Sequence, residues 1–351
     1  MNEITLNSIG NNIHSSRIEA GYSQEQLAIL SGVERSQISK IEKGLVSGVT
    51  FKTIYKILNS LGVKIVSIKD DKQYDLHPFI KWAGGKTQLL NTILEKLPTN
   101  FNRYFEPFVG GGALLFKLQP RTFFINDTNE ELICVYKCFQ SKELLEELEK
   151  ELEIHEANHN EEYYYKIREM DKLNNFKDLP IYIRAARMLY LNKACFNGLY
   201  RVNSKGYFNV PFGKKDKINC FDKTNFDNLY SFFKNSTINI KNNDFENAVK
   251  DAKEGDFIYF DPPYDVLEEK QTFTSYDKNN FNKDDQIRLF KVFKELSDKG
   301  VYVMLSNHNT KFINELYKDY NIAVVQAKRM INSNAKGRGV VEEVIITNYE
   351  K

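Results

Sequence analysis

The chain has 351 residues, of which 49 are basic and 47 acidic, so its formal net charge of +2 indicates no particular partner. Its 42% hydrophobic and 27% charged residues are typical of folded proteins and exclude wholesale disorder, and the length predicts two or three domains. The four cysteines lack paired spacing, which argues against a disulfide scaffold or a zinc site. The sequence also has no signal pattern and no apolar run of membrane length. We therefore expect a soluble cytoplasmic protein with no membrane partner and no bound metal.

The first 66 residues predict a separate domain made of short helices. Turn signals separate four helical segments, of which the third and fourth lie near 34–42 and 50–61. A short strand signal, KIVSI, and a polar connector ending in Pro78 follow. We therefore expect an all-α domain over 1–66 and a linker over 67–78.

The stretch SQEQLAILSGVERSQISKIEK has the spacing of a helix-turn-helix. Ser23 and Gln26 form a capping box at the start of the second helix, and Gly32 suits a turn that needs positive φ. Arg35 and Gln37 then face outward on the third helix, where they could contact a DNA major groove. The spacing alone leaves open a helical bundle that binds protein or nothing.

The same stretch resembles the helix-turn-helix repressor family typified by the phage Cro and cI repressors, over about 60 residues. The resemblance implies that this domain binds DNA. It also implies a possible homodimer through the N-terminal domain, because such modules often pair on palindromic sites.

From Phe79 onward, strand signals alternate with amphipathic helices. Ile287, Phe290, Phe293 and Leu296 have helical spacing and precede a strand signal, KGVYVMLSNH. This alternation predicts an α/β fold with a doubly wound sheet. The strand candidates are 104–109, 121–126, 256–260, 300–306, 321–327 and 341–348.

An insertion of mostly helical sequence, followed by a glycine-turn segment, interrupts this alternation. The net charge is −6 over 140–180 and +7 over 184–217, and 326–339 adds four basic side chains and no acid. Phosphate binding requires such local positive charge, although a solvated basic face is an equal alternative for one block alone. We expect one catalytic domain, formed by 79–139 together with 240–351. The insertion is expected to cover 140–239.

The motif Asp261-Pro262-Pro263-Tyr264 directly follows a buried-strand signal, DFIYF. It therefore lies at the carboxyl end of a strand, where open α/β sheets bind ligands. The Asp261 carboxylate and the Pro262 carbonyl can accept hydrogen bonds from both N–H groups of an exocyclic base amine and so localise its lone pair. Tyr264 offers a stacking face for a flipped base. An ordinary Asp-Pro turn is the alternative.

A second strand, YFEPFVGGG, ends in a glycine turn that contains Phe108, Gly110 and Gly112. Glycines at this position let the backbone approach a ligand. Asp127 follows the next strand, and its carboxylate can bind both hydroxyls of a ribose. A dinucleotide site would look similar, but its combination with DPPY favours S-adenosylmethionine.

The stretch IKWAGGKT resembles a phosphate loop but lacks the first glycine of that motif, which disfavours nucleotide triphosphates. It places Trp82, the only tryptophan, near Lys86 across a glycine turn, with core packing as an equal alternative. His155 and His159 match the HExxH zinc-protease signature, but they lie in a polar, acidic stretch that suits a fraying helix end better than a buried zinc helix.

FIKWAGGK, EPFVGGGALLF, IND, LNKACFNGLYRVNSKGYFNVPFG and FDPPY occur in this order over about 270 residues. The set closely resembles the GATC-type, Dam-like adenine N6-methyltransferases of the D12 class, in the alpha arrangement. It implies a Rossmann-like sheet with a helical target-recognition insertion, S-adenosylmethionine as methyl donor and double-stranded DNA as substrate.

The resemblance also carries residue roles. It implies that Trp82, Lys86 and Asp127 contact the cofactor and that Asp261 lies against both cofactor and target amine. In the recognition hairpin, which includes Asn197, it implies that Phe196 fills the gap left by the flipped adenine. It further implies that Leu199 and Arg201 read bases, that Pro211 lies against a thymine methyl and that Lys81 contacts a guanine. The charge of the basic block, which includes Lys214, itself predicts attraction to phosphates.

Two other functions stay open at this stage. The protein could be a transcription regulator with a vestigial methylase, which the intact DPPY and glycine motifs oppose. It could also methylate RNA or a protein amide, but such relatives usually begin the motif with Asn and lack this basic hairpin.

Overall fold

The computed structural model describes residues 6–45, 49–63, 73–82, 84, 86, 89–266, 281–328 and 340–350. The chain forms two units, Met1–Lys72 and Gln73–Lys351, so the division falls inside the segment predicted as a linker. The KIVSI strand signal and most of the basic stretch 326–339 lie outside the described residues. No described helix is both long and apolar enough to cross a bilayer.

The N-terminal unit contains four described helices, as the sequence predicts. The capping box of Ser23 and Gln26 forms, Gly32 takes a φ of 62°, and Thr50 caps the fourth helix. Arg35 and Gln37 are exposed, as expected for the third helix. The helices are α1 (Leu6–Glu19), α2 (Gln24–Ser31), α3 (Arg35–Glu42) and α4 (Phe51–Ser60).

A small apolar core and one buried ion cluster hold these helices together. Ile13, Ile38 and Ile57 are fully buried, whereas Ile18, on the same helix as Ile13, is 57% exposed. Arg17 donates to both oxygens of Glu42, at 2.7 and 2.9 Å. The cluster joins the first and third helices, since these two residues lie 25 positions apart.

The second unit is built on a seven-stranded sheet within the described residues. The strand order is β3-β2-β1-β4-β5-β7-β6, and β7 runs antiparallel to both of its neighbours, β5 and β6, whereas the other pairs are parallel. This is the predicted doubly wound, Rossmann-like sheet. The strands are β1 (Tyr104–Glu106), β2 (Thr122–Asn126), β3 (Thr237–Lys241), β4 (Phe257–Phe260), β5 (Tyr302–His308), β6 (Asn321–Lys328) and β7 (Val340–Thr347).

Strand β3 was not predicted, and it crosses the expected domain boundary between 239 and 240. Thr237 pairs with Thr122 and Lys241 pairs with Asn126, so the whole strand belongs to the sheet. Its sequence, TINIK, has only two apolar residues, because a strand at the sheet edge buries little of its surface.

Helices pack against both faces of the sheet and form two apolar clusters. Phe293 and Leu296 are buried as predicted, but Ile287 is 36% exposed and Leu289 fills the core instead. The helices in the sheet layers are α5 (Leu90–Glu95), α6 (Ala113–Leu118), α7 (Glu130–Cys138), α12 (Phe245–Val249), α13 (Lys283–Asp298) and α14 (Lys311–Leu316).

The insertion is helical, as predicted, and packs on helix α7. Its central helix, α10, contacts both α7 and α8 extensively. Arg184 of α10 pairs with Glu131 of α7 at 2.6 Å, which ties the insertion to the sheet layer. The helices are α8 (Lys142–Ala157), α9 (Glu161–Arg168), α10 (Ile181–Ala194) and α11 (Lys223–Lys234), with short 3₁₀ turns between and after them.

Candidate active site

Two predicted motifs meet where the strand order of the sheet reverses. Strand β1 ends at Glu106 and leads into the glycine turn, while β4 ends at Phe260 and leads into Asp261. The two strands are parallel neighbours, with Tyr104 opposite Phe257. Because ligands bind in the crevice at such a reversal, the two loops frame one candidate site.

Lys86 joins the KWAGGK stretch to the DPPY loop. It is 7% exposed, and its Nζ lies 2.7 Å from Asp261 Oδ1 and 2.8 Å from the Gly84 carbonyl oxygen. The same ammonium group lies 4.5 Å from the centre of the Tyr264 ring. A buried cation thus contacts both the carboxylate and the aromatic ring of the proposed catalytic motif.

A buried amide network holds the DPPY loop in place. Gln286 donates to the Pro263 carbonyl oxygen at 2.9 Å and accepts from Asn307 at 3.1 Å. Asn307 in turn accepts the backbone N–H of Asp265, whose carboxylate accepts from the Thr310 hydroxyl. Sequence analysis gave no role to this network, because its members lie far apart in the chain.

Tyr264 is fixed at its edge and at its hydroxyl group. Its hydroxyl donates to Glu343 at 3.0 Å, and its ring meets the edge of His308 with centroids 4.9 Å apart. His308 also bonds the Asp265 carbonyl oxygen at 2.6 Å. His308 therefore borders the site.

Two carboxyl groups at the end of the crevice have raised pKa values. Burial raises the pKa of Asp261, and the ion pair with Lys86 opposes that rise. Burial also raises the pKa of Glu106 to about 8, while a 2.9 Å hydrogen bond from the Tyr104 hydroxyl favours its charged form. Since Glu106 interacts electrostatically with Asp261, it is a site residue to which the sequence analysis gave no role.

The glycine turn is built closely around Trp82 and Tyr136. Gly110 has a φ of 48°, and a Cβ there would lie 2.7 Å from Trp82 Cδ1. Gly112 has a φ of 73°, and a Cβ there would meet the Tyr136 hydroxyl at 2.7 Å. Side chains larger than hydrogen do not fit at either position.

Asp127 follows β2, and backbone donors hold its carboxylate. Oδ2 accepts the Gly110 N–H at 3.1 Å, and Oδ1 accepts the Asn129 N–H at 2.8 Å. Each oxygen has a second lone pair available for a ligand hydroxyl. Burial raises the pKa of Asp127, against the effect of these two hydrogen bonds.

Aromatic rings line the crevice beyond the glycine turn. Phe108 lies 5.5 Å from Phe245 and 5.8 Å from Phe281 between ring centres. Arg288 covers the Phe245 ring at 4.6 Å and donates to Asp244 at 2.7 Å. This wall is suited to a planar, apolar group.

The predicted recognition segment forms an antiparallel hairpin between 195 and 213. Cys195 bridges to Phe212, and Val202 bridges to Phe208. Asn197 has a φ of 57°, which turns the chain at the base of the hairpin. Phe196, within the basic segment 184–217, is 53% exposed, so a large apolar ring faces solvent. Pro211 and Lys214 are also exposed, and Leu199 is half-buried.

Arg201 is exposed and held from within the hairpin. Its Nε donates to Asn209 Oδ1 at 2.7 Å, which leaves further guanidinium N–H groups for a ligand. Asn209 is therefore a further residue to which sequence analysis gave no role. Only the pairing of the hairpin strands brings it next to Arg201.

The recognition hairpin contacts the residues that precede the glycine turn. Trp82 packs on Tyr200 with ring centres 5.3 Å apart, and the backbone of Lys81 is bonded by the Asn192 side chain. The structure thus brings most of the predicted cofactor and DNA residues into one region of the second unit. The Phe273-Thr274-Ser275-Tyr276 segment, whose sequence resembles a family segment near the target adenine, lies outside the described residues.

The HExxH histidines face tyrosine hydroxyls. His155 Nδ1 lies 2.8 Å from the Tyr163 hydroxyl, and burial lowers its pKa to about 4. His159 lies beyond the end of α8 and bonds Tyr190. His155 is therefore buried although the surrounding sequence is polar, and His159 lies past the end of the helix, as the sequence predicts.

Comparison with known proteins agrees with this geometry. A model of the D12 class N6 adenine-specific DNA methyltransferases matches residues 82–331, and a helix-turn-helix model matches residues 13–68. The chain belongs to the D12 class of N6 adenine-specific DNA methyltransferases.

Three relatives show how this methyltransferase compares along its length. It is 44% identical to the type II methyltransferase M1.LlaDCHI of Lactococcus lactis subsp. cremoris, over 81% of this chain and 99% of that protein. It is 43% identical to the type II methyltransferase M.MjaIII of Methanocaldococcus jannaschii, over 78% and 100%. It is 32% identical to the DNA adenine methylase of Escherichia coli K12, over 76% and 93%.

Proposed function

We propose that this D12-class enzyme transfers a methyl group from S-adenosylmethionine to N6 of adenine within a specific duplex sequence, and that this sequence is GATC. The observation that carries the proposal is the meeting of Asp261, Lys86 and the glycine turn at the reversal of strand order. An acceptor for the target amine and a crevice for the methyl donor are thereby adjacent.

The residues of the crevice fit the proposed methyl donor. The free lone pairs of Asp127 suit the ribose hydroxyls, and the wall around Phe108 suits the adenine ring. Trp82, Lys86 and the glycines at 110 and 112 line the rest. When bound, S-adenosylmethionine supplies a methyl carbon already activated on a sulfonium.

Asp261 and Pro262 are proposed to prepare the target nitrogen. The carboxylate and the carbonyl oxygen each accept one N–H of the adenine amine, which directs the nitrogen lone pair toward the methyl carbon. The ionised carboxylate is the stronger acceptor, and Lys86 favours that state. Tyr264 is proposed to stack on the flipped base.

The hairpin is proposed to read and open the duplex. The exposed Phe196 would fill the gap left by the adenine, and Arg201 would contact a guanine. The other proposed DNA contacts are Lys81, Asn197, Leu199, Pro211 and Lys214.

The N-terminal unit is proposed to bind a second DNA site, either to regulate expression or to tether the enzyme. The exposed Arg35 and Gln37 on α3 support groove contacts. We also propose that two copies pair through this unit on a palindrome. Sedimentation of the full chain with and without operator-sized DNA tests the pairing, and a monomer in both states contradicts it.

Plasmid methylation tests the enzymatic proposal directly. The purified protein is incubated with unmethylated plasmid and S-adenosylmethionine, and the plasmid is then digested with a nuclease that GATC methylation blocks. We expect protection by the wild type and none by Asp261→Ala, with cofactor binding by that variant largely retained. Cleavage after wild-type treatment, with no labelled methyl in any DNA, would favour the vestigial regulator.

Two controls separate the remaining alternatives. Labelled transfer to competing RNA in preference to duplex DNA would refute the proposed substrate. Arg201→Ala should relax selectivity at one base pair, at a cost of about 1–3 kcal/mol in discrimination. An unchanged target preference in that variant contradicts the assignment of base reading to Arg201.

A further inference from the structure

Asn192, near the end of α10, bonds two separate parts of the site through one amide group. Its Oδ1 accepts the backbone N–H of Lys81 at 3.1 Å. Its Nδ2 donates to the Lys81 carbonyl oxygen at 2.9 Å and to the Gly198 carbonyl oxygen at 3.0 Å. Both amide hydrogens are therefore used, and the residue is only 3% exposed.

The two partners of Asn192 lie in different segments of the site, although the side chain of Lys81 is itself a proposed DNA contact. Lys81 lies in the cofactor segment, which we define as Ile80–Trp82, and Gly198 lies at the base of the recognition hairpin. They also touch directly, because a Cβ on Gly198 would lie 2.9 Å from Lys81 Cδ. Trp82 of the cofactor segment and Tyr200 of the hairpin extend this contact.

We propose that Asn192 is a positioning residue that locks the recognition hairpin to the cofactor segment, so that cofactor and target DNA strengthen each other's binding through it. The inference rests on the proposed function, since that function assigns Trp82 of the first segment to the cofactor and the hairpin to DNA.

The physical basis is the planarity of the amide. One planar amide group accepts one hydrogen bond from Lys81 and donates one each to Lys81 and Gly198, so it fixes the base of the hairpin relative to Lys81. A ligand that orders either segment therefore lowers the cost of ordering the other, and linkage makes the effect equal in both directions. Removing the two N–H donors while keeping the shape should break the link.

Asn225 supplies a matched control in the same unit. It is 2% exposed, and its amide bonds the backbone of His77 in the same two-sided way, at 3.2 and 2.9 Å. These bonds hold a segment before the site and involve no residue of the hairpin. Asn225→Asp should therefore reproduce the structural cost of Asn192→Asp without its functional effect.

The experiment measures the dissociation constant of S-adenosylhomocysteine for the full chain by calorimetry. This demethylated product allows no turnover. Each protein is titrated alone, with a duplex containing one GATC site, and with a scrambled duplex. Thermal unfolding of each variant is measured in parallel.

For the wild type we expect the GATC duplex to tighten cofactor binding by about fivefold or more. In Asn192→Asp this ratio should fall to near one, whereas Asn225→Asp should keep the wild-type ratio despite a similar loss of thermal stability. A wild-type ratio in Asn192→Asp, or a ratio of one in the wild type, overturns the inference.

A second variant covers the case in which Asn192→Asp does not fold. Gly198→Ala strains the base of the hairpin from the other side, because Gly198 has a φ of 65° and the added Cβ would lie 2.9 Å from Lys81 Cδ. It too should bring the ratio near one; retention of the wild-type ratio would again overturn the inference. Plasmid protection by the wild type is scored separately. If protection fails, the proposed function is wrong. If the wild type protects the plasmid and both variants keep the wild-type ratio of dissociation constants, only the role of Asn192 is refuted.

Discussion

Replacing Lys86 with methionine should move the pH dependence of methyl transfer to higher pH. The substitution removes the ammonium group 2.7 Å from Asp261 Oδ1 but keeps a side chain of similar length. The ionised carboxylate of Asp261 accepts a stronger hydrogen bond from the target amine than the protonated acid does, because charge-assisted hydrogen bonds are stronger. Without its cation the carboxylate keeps the burial that raises its pKa and loses the interaction that lowers it.

The size of the effect follows from the ion pair. At 2.7 Å and an effective dielectric constant of about 20, the gross attraction is about 6 kcal/mol. Side-chain relaxation and solvent at the edge of the site reduce the net effect, and a close opposite charge typically shifts a carboxyl pKa by about 1–3 units. We therefore expect the acidic limb of the rate profile to move upward by about 1–3 pH units.

Initial rates of labelled methyl transfer, measured with saturating cofactor and duplex from pH 5 to pH 9, give the required profile. At a fixed pH on the acidic limb, the variant should be about 10- to 1,000-fold slower and should regain part of its activity as the pH rises. Lys86→Arg keeps a cation and should shift the limb much less.

A surface pair provides the negative control for the same substitution. Lys294 and Asp298 are 3.0 Å apart but largely exposed, so Lys294→Met should leave the profile unchanged. If Lys86→Met lowers the rate equally at every pH, the link between Lys86 and the ionisation of Asp261 is refuted.

Three further predictions concern other parts of the protein. Gly110→Ala should raise the KM for S-adenosylmethionine about tenfold or more, because its Cβ displaces Trp82; an unchanged KM in steady-state kinetics would contradict the packing. Burial would raise the pKa of Glu42, but hydrogen bonds from Arg17 and its neighbours outweigh burial and lower this pKa from 4.5 to about 2. The charged carboxylate therefore stabilises the N-terminal unit above pH 4.5, and this contribution is lost as the pH falls toward 2. Glu42→Gln should therefore cost at most about 3 kcal/mol at neutral pH and progressively less in melts below pH 4.5, whereas a constant difference would disprove the assignment. Phe196→Ala should slow methylation of a matched duplex more than that of a duplex with a mismatched target adenine, which is easier to flip; equal losses in parallel rate assays would argue against a wedge.

Sequence alone determined those features that depend on neighbouring residues. The capping box of Ser23, the positive φ of Gly32 and the strand before Asp261 follow from local patterns, and all are found. The doubly wound class follows from alternating periodicities. The order of the motifs indicated the D12 class, which the family model matches over residues 82–331.

Only the tertiary structure decided which distant residues meet. Asn192 lies 111 positions from Lys81, and the contact of Lys86 with Asp261 spans almost half of the chain. Helical spacing alone could not tell that Ile287 would be exposed and Leu289 buried. Strand β3 has too weak an apolar pattern to predict, since only Ile238 and Ile240 pack on the core and its pairing with β2 becomes visible only in the sheet. Periodicity describes one element at a time, whereas these contacts depend on the order in which the strands assemble.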